Sequence, residues 1–261
     1  MTSMKPRDRI SSAIRTAASK GDPAIVGFAT AGHPRKETFR DTVRALATGA
    51  DVVEIGVPFT DPMADGVTIQ RSSHTALLQG VTLRWILSEL TEMPKVDAPL
   101  LLMSYLNPLL AYGLDELASA AARANVAGFI VPDLPYDESD ELGKALDTEG
   151  LALVQMVTPV TKPERLAQVC ARAQGFIYAV TMTGTTGKNV SVPDEVLTYL
   201  DRVRAASQLP VCAGFGIRSR EQVERLSGHV DGVVVGSALV EVLERNEDPA
   251  AWLTTLRRSP R

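Results

Sequence analysis

Apolar residues along this chain fall in short, nearly unbroken runs, each followed by a segment in which apolar positions recur every three or four residues. The runs are "AIVGFAT" from Ala24, "DVVEIGV" from Asp51, "PLLLMSYL" from Pro99, "GFIVPDL" from Gly128, "ALVQMVT" from Ala152, "GFIYAVT" from Gly175, "PVCAGFG" from Pro210 and "GVVVGSA" from Gly232. Continuous apolar runs of this length predict strands covered on both faces, as in a parallel sheet. Between them, "ETFRDTVRALATG" ending at Gly49, "LDELASAAARANV", "ESDELGKALDTEG", "KPERLAQVCARA" and "SREQVERLSG" carry helical periodicity. Several open on a capping residue and close on Gly or Asn. Ahead of the first strand, Ile10, Ile14 and Ala17 share one face of a further amphipathic helix.

Eight strand–helix units in one series, with no linker or composition break, predict a single (β/α)8 barrel domain over residues 1–261 with an extra N-terminal helix. A doubly wound open sheet is the alternative. Its glycine-rich dinucleotide turn is missing, because the first turn reads "TAGHPRKE". Two connections are long: Thr60 to the helix near "TLRWILSEL", and "TMTGTTGKNVSVPDE" after the sixth strand. In a barrel, the loops that follow strands form the active-site face.

Composition narrows the functional classes. The chain has 261 residues, 45% hydrophobic and 22% charged, with a formal net charge of −4. An acidic balance argues against nucleic acid as the main partner. No apolar run is long enough to span a bilayer. The N-terminal stretch lacks the apolar centre of a secretory signal, and its Arg and Ser content, shared with transit peptides, reads better as the amphipathic helix. A cytoplasmic location is expected. Cys170 and Cys212 read as buried free thiols. His33, His74 and His229 have no metal-ligand spacing, so no metal is expected.

One carboxylate stands out. Glu54 lies inside a strand covered on both sides, sharing a face with Val52 and Gly56. It is either a structural carboxylate satisfied by a buried hydrogen bond or a catalytic acid. A charge pair is the less supported form of the first reading, because neighbouring strand segments carry no lysine or arginine. Burial should raise its pKa and fit it for proton transfer near neutral pH. Asp61 and Asp65 follow in "TDPMADG", where Pro58, Pro62 and Gly66 shape a loop over the barrel mouth.

Glycine-rich turns end strands six, seven and eight: "TGTTGK", "AGFGIRS" and "VGSALVE". One such turn is ordinary turn chemistry. Three, with a helix N-terminus beyond, point to a phosphate site.

"VEIGVPFTDPMADG" closely resembles the signature of the tryptophan synthase α chain family. "VGFATAGHP", "LLLMSYLNPLLAYGLDELA", "VAGFIVPDLPYDES", "GFIYAVTMTGTTG", "CAGFGIRSREQV" and "GVVVGSALVE" match in the family's order, from about Ala24 to Leu243. The resemblance implies retro-aldol cleavage of indole-3-glycerol phosphate to indole and glyceraldehyde 3-phosphate, with no cofactor in this chain. It implies Glu54 as general acid/base at indole C3 and the adjacent hydroxyl, and Asp65 as the acid that stabilises charge at the indole nitrogen. Tyr178 would line the site, Phe28 would pack on the indole ring, and Thr186 would sit in a loop that closes over Asp65. Gly187, Gly216, Gly236 and Ser237 would cradle the phosphate, and Asp133 would position loops at a subunit contact. Lys188, near the glycine loop, is set aside as a Schiff-base lysine because it is not on a strand. His33 and Gly27 depart from the family pattern, where Asp and Pro are common, and are expected to alter packing near the strand-2 loop.

The resemblance also implies a pyridoxal-phosphate β subunit in an α2β2 complex, with Pro58 and Asp61 as contacts. Three other readings compete: a stand-alone indole-releasing lyase, a non-catalytic scaffold, and another phosphate-binding barrel enzyme. Retention of both Glu54 and Asp65 disfavours the scaffold, and the strand-2 motif disfavours the last.

Overall fold

The computed structural model describes residues 4–181, 192–214 and 216–258. Its strands are β1 (Ala24–Thr30), β2 (Val52–Gly56), β3 (Leu100–Met103), β4 (Val126–Ile130), β5 (Ala152–Val157), β6 (Ile177–Val180), β7 (Val211–Gly214) and β8 (Gly232–Val235). They pair in chain order, all parallel, and β8 returns to β1 to close the barrel. The helices among the described residues are α1 (Pro6–Ala18), α2 (Phe39–Gly49), α3 (Val67–Leu78), α4 (Leu83–Glu92), α5 (Leu106–Tyr112), α6 (Leu114–Arg123), α7 (Asp140–Thr148), α8 (Pro163–Arg172), α9 (Asp194–Ala206), α10 (Arg220–Leu226), α11 (Ser237–Glu244) and α12 (Pro249–Thr255). The expected (β/α)8 barrel with an added N-terminal helix is the observed fold.

Three local expectations change. β4 starts at Val126, two residues before the predicted Gly128, because Val126 already pairs with Leu100 across a register shift. The third strand ends at Met103; Tyr105 of the predicted run lies in the loop after it, and Leu106 opens α5. The long connection after β2 is a shorter loop followed by α3. That helix was invisible to apolar periodicity because its buried face is Ser72, Ser73 and Ala76.

The core has two layers. Alternate strand residues, among them Val26, Val52, Leu101, Ile130, Val154, Cys212 and Val234, fill the barrel itself. Their neighbours in sequence face the helices, as the two-residue strand period requires. The inner layer is closed from below by α1, whose Ile10, Ile14 and Ala17 join it. The helix runs under the starts of β5, β6 and β7: Arg7 N–H donates to the Gly150 carbonyl (3.1 Å), Ser11 Oγ to that of Gly175, and Arg15 to that of Gln208 (2.7 Å). The C-terminal end is tied down by Arg257, whose Nη2 donates to the Gly49 carbonyl at 3.1 Å and to Asp51 Oδ2 at 2.8 Å. Ile14 is 0% exposed. Ile14→Ala is expected to remove about 2–5 kcal/mol of stability while leaving turnover unchanged, because it sits at the end opposite the loops after the strands. Denaturant unfolding alongside steady-state kinetics checks both halves of that expectation.

Candidate active site

Glu54 occupies the middle of β2, paired across the sheet with Phe28 of β1 and Leu101 of β3. It points into the barrel and is 1% exposed. Its Oε2 is buried without a hydrogen-bond partner. A structural carboxylate would be satisfied, because an unpaired buried oxygen forfeits its hydration with nothing in return. Burial, reinforced by the charge of Asp65, pushes the Glu54 carboxyl up to about 8. At neutral pH it therefore carries its proton.

Asp65 arrives from the loop between β2 and α3. A tight turn, in which Asp65 N–H donates to the Pro62 carbonyl (3.1 Å), lifts the side chain over the mouth. Tyr105, in the loop after β3, holds it there. The phenol donates to Asp65 Oδ2 at 3.1 Å and accepts the Ala64 N–H at 2.9 Å. The Tyr105 ring stacks on Phe59 of the Asp65 loop, with centroids 5.0 Å apart and planes at 24°. Burial raises the Asp65 carboxyl to about 6, partly opposed by the Tyr105 hydrogen bond. Two carboxyls in one mouth are thus separated by environment. At pH 7 the inner one is chiefly protonated and the outer one chiefly ionised.

Two aromatic residues wall the space above Glu54, and each needs a glycine beside it. A Cβ at Gly56 would stand 2.5 Å from Phe28 Cζ, and a Cβ at Gly214 would stand 2.7 Å from the Tyr178 hydroxyl. Each ring therefore lies over the bare backbone of the next strand. Phe28, Gly56, Asp65, Met103 and Tyr105 line one cleft. Burial, then the charges of Glu54 and Asp65, keep the Tyr178 phenol well above its ordinary pKa, so it stays neutral.

The glycine turns close the other side. Gly236 precedes α11, whose first residue is Ser237. The first N–H groups of a helix have no intrahelical acceptor and lie at the positive end of its dipole. A Cβ at Gly236 would approach Phe28 at 4.0 Å, which places this helix start beside the aromatic wall. Gly216 is exposed with φ +68, and a Cβ there would meet nothing within 4 Å. Thr181 fixes the end of β7, since its N–H and Oγ1 both donate to the Gly214 carbonyl, at 3.2 and 2.7 Å.

The fold thus gathers Glu54, Asp65, Tyr178, Phe28, Gly216, Gly236 and Ser237 at one end of the barrel. Thr186, Gly187 and Lys188 lie outside the described residues. Pro58 is covered by the chain's own atoms and Asp61 is exposed. Asp133 Oδ1 accepts the Leu106 N–H at 2.9 Å, which ties the loop after β4 to the start of α5. His33 is buried, its Nε2 3.3 Å from Glu244 Oε1. Gly27 faces the helical layer, where a Cβ would meet Ala50 Cβ at 3.1 Å, and not the strand-2 loop. Reading the sequence missed Tyr105, although it sits inside a quoted matching segment. Among the described residues, no group of three or more His, Cys, Asp or Glu could hold a metal ion, and no helix is long and apolar enough to cross a membrane.

A sequence profile described as the tryptophan synthase alpha chain matches residues 14–258. The tryptophan synthase alpha chain of Nitratidesulfovibrio vulgaris Hildenborough is 44% identical over 247 residues, 94% of this chain and 96% of that protein. That of Solidesulfovibrio magneticus is 45% identical over 246 residues, again 94% and 96%. Among solved structures, the tryptophan synthase subunit alpha from Legionella pneumophila str. Paris superposes with a TM-score of 0.86 at 30% identity, covering 98% of both chains. Mycobacterium tuberculosis tryptophan synthase gives 0.87 at 34% identity, covering 95% of this chain and 96% of that one.

Proposed function

This chain belongs to the tryptophan synthase alpha chain family, lyases that cleave indole-3-glycerol phosphate, and we propose that its two mouth carboxyls divide the proton work of that cleavage. The observation that carries the reading is Glu54, buried inside the barrel with an oxygen that has no hydrogen-bond partner, in the same mouth as the Asp65 that Tyr105 holds. Protonated Glu54 delivers its proton to indole C3, which makes the ring an electron sink. Asp65 accepts a hydrogen bond from the indole N–H and offsets the positive charge that develops there. The bond between C3 and the glycerol carbon then breaks, its electrons restoring the indole. The Glu54 carboxylate takes the proton of the glycerol hydroxyl, which becomes the aldehyde of glyceraldehyde 3-phosphate. One proton is donated and one recovered, so Glu54 is ready for the next cycle.

Phe28 and Tyr178 hold the indole plane, and neutral Tyr178 adds no charge to the site. Gly216, Gly236 and Ser237, with Gly187, receive the phosphate through backbone N–H groups. Thr186 meets Asp65 when its loop closes. Residues 1–261 act as one domain, a reading supported by α1 and Arg257, which both join the barrel.

The chain works with a β subunit that carries pyridoxal phosphate, as an α2β2 complex in the cytoplasm. Its docking face is the mouth, where Met63 and Val160, in the loops after β2 and β5, are 91% and 83% exposed and Leu110 of α5 is 49% exposed. Asp61 adds a charge to that rim. Ordering of the Asp65 loop by the partner would shift its population toward the closed site. Indole release by the purified chain is expected to be slow and to rise sharply with a compatible β subunit. Rapid release that ignores the β subunit would make this a stand-alone lyase instead. No release under either condition would overturn the catalytic assignment.

A further inference from the structure

Four consecutive residues on α3 each hold a different part of the active-site end. Gln70 Nε2 donates to the Asp65 carbonyl at 2.8 Å. Arg71 makes a fork to Glu244 of α11, with Nη2 2.8 Å from Oε2 and Nε 3.2 Å from Oε1. Ser72 Oγ lies 2.6 Å from Thr30 Oγ1 at the end of β1. Ser73 Oγ accepts the Phe59 N–H at 2.8 Å and donates to the Phe59 carbonyl at 3.1 Å.

An apolar face would hold α3 to the barrel without fixing its register, because burial is not directional. Hydroxyl contacts in the 2.6–3.1 Å range are directional and fix the helix to a fraction of an ångström. Ser73 lies deepest in the path to the reaction. It grips both backbone groups of Phe59, the Phe59 ring stacks on Tyr105, and the Tyr105 hydroxyl holds Asp65. Ser73 itself is 4% exposed and also lines the cleft with Asp65 and Phe28.

We propose that Ser73 is a positioning residue for the cleavage, its hydroxyl committed to Phe59 and setting the orientation of Asp65 through Phe59 and Tyr105. The inference rests on the catalytic reading of Asp65. It also requires that this serine govern turnover and not substrate affinity, since the phosphate cradle, beyond β7 and at the start of α11, lies outside the Ser73–Phe59–Tyr105 path.

The test is steady-state cleavage of indole-3-glycerol phosphate by the full chain, with the β subunit present, for Ser73→Ala, Tyr105→Phe and the double variant. Ser73→Ala is expected to lower kcat on the order of tenfold to a hundredfold while KM stays within about twofold, the pattern of a misplaced catalytic group. Tyr105→Phe keeps the ring stack, loses the hydroxyl and should fall comparably. The double variant should fall no further than the worse single, because both act on one orientation. Multiplicative losses, or a raised KM at constant kcat, would overturn the proposal. Thermal melts accompany the kinetics, and each variant should keep a cooperative transition. A Ser73→Ala chain that loses the transition would make the serine purely structural. An unimpaired Ser73→Ala beside an active parent overturns this inference alone, whereas an inactive parent overturns the catalytic reading and this one with it.

Discussion

Glu54→Gln is expected to lower turnover on the order of a hundredfold to ten-thousandfold and, in the same protein, to raise the melting temperature at pH 8. The amide keeps the shape of the side chain but can neither deliver a proton to C3 nor recover one from the hydroxyl. The gain in stability follows from linkage. In the unfolded chain this carboxyl loses its proton around the ordinary value of 4.5, and in the folded barrel it holds the proton up to about 8. Between those values the native state binds a proton that the unfolded state has released, so rising pH favours unfolding. Below the unfolded pKa, this group sets no penalty on the fold. At pH 7 the penalty is on the order of 3 kcal/mol, and it grows until Glu54 is fully ionised. Glutamine carries no such penalty. Melting curves of parent and variant at pH 4.5 and pH 8 should therefore converge at the lower pH and separate at the higher. A variant less stable than the parent at pH 8 would mean that the carboxylate is satisfied in the fold, and near-parental turnover would remove Glu54 from the chemistry.

Asp65→Asn is expected to reduce turnover on the order of a hundredfold to a thousandfold, the usual loss for a fixed group that stabilises developing charge. The amide oxygen can still accept the Tyr105 hydrogen bond, so the loop keeps its anchor and the loss reads out charge. The pH dependence separates the two acids. In the parent chain, kcat/KM should rise as Asp65 ionises near 6 and fall as Glu54 loses its proton near 8. Because each carboxylate acts on the other, these limbs belong to the pair. In Asp65→Asn the lower limb should vanish. The upper limb should move down, since the neighbouring negative charge that helped Glu54 keep its proton is gone. A bell-shaped profile that survives the substitution unchanged would assign the lower limb to another group.

The barrel was legible in the order of residues along the chain. Eight apolar runs with helices between them can bury both faces of a parallel sheet in few other ways, and every predicted strand starts at or within two residues of an observed start. The sequence also singled out Glu54, because a lone carboxylate in a strand covered on both sides conflicts with burial unless it has work to do. The glycine turns and the strand-2 motif were equally visible, since both are local in the chain.

What those residues meet was settled by contacts between segments far apart in the chain. The sequence placed Asp65 on a loop but could not show that Tyr105, forty residues on, holds it, because a phenol in a loop has no periodic signature. It could not show that Gly56 and Gly214 are bare so that Phe28 and Tyr178 can lie across them, because that requirement runs between strands. Helix α3 was lost entirely. Apolar periodicity finds helices that bury Leu and Val, and this one buries Ser72 and Ser73 against β1 and the Asp65 loop. A helix held by hydroxyls reads as a polar loop until its partners, distant in the chain, are brought beside it.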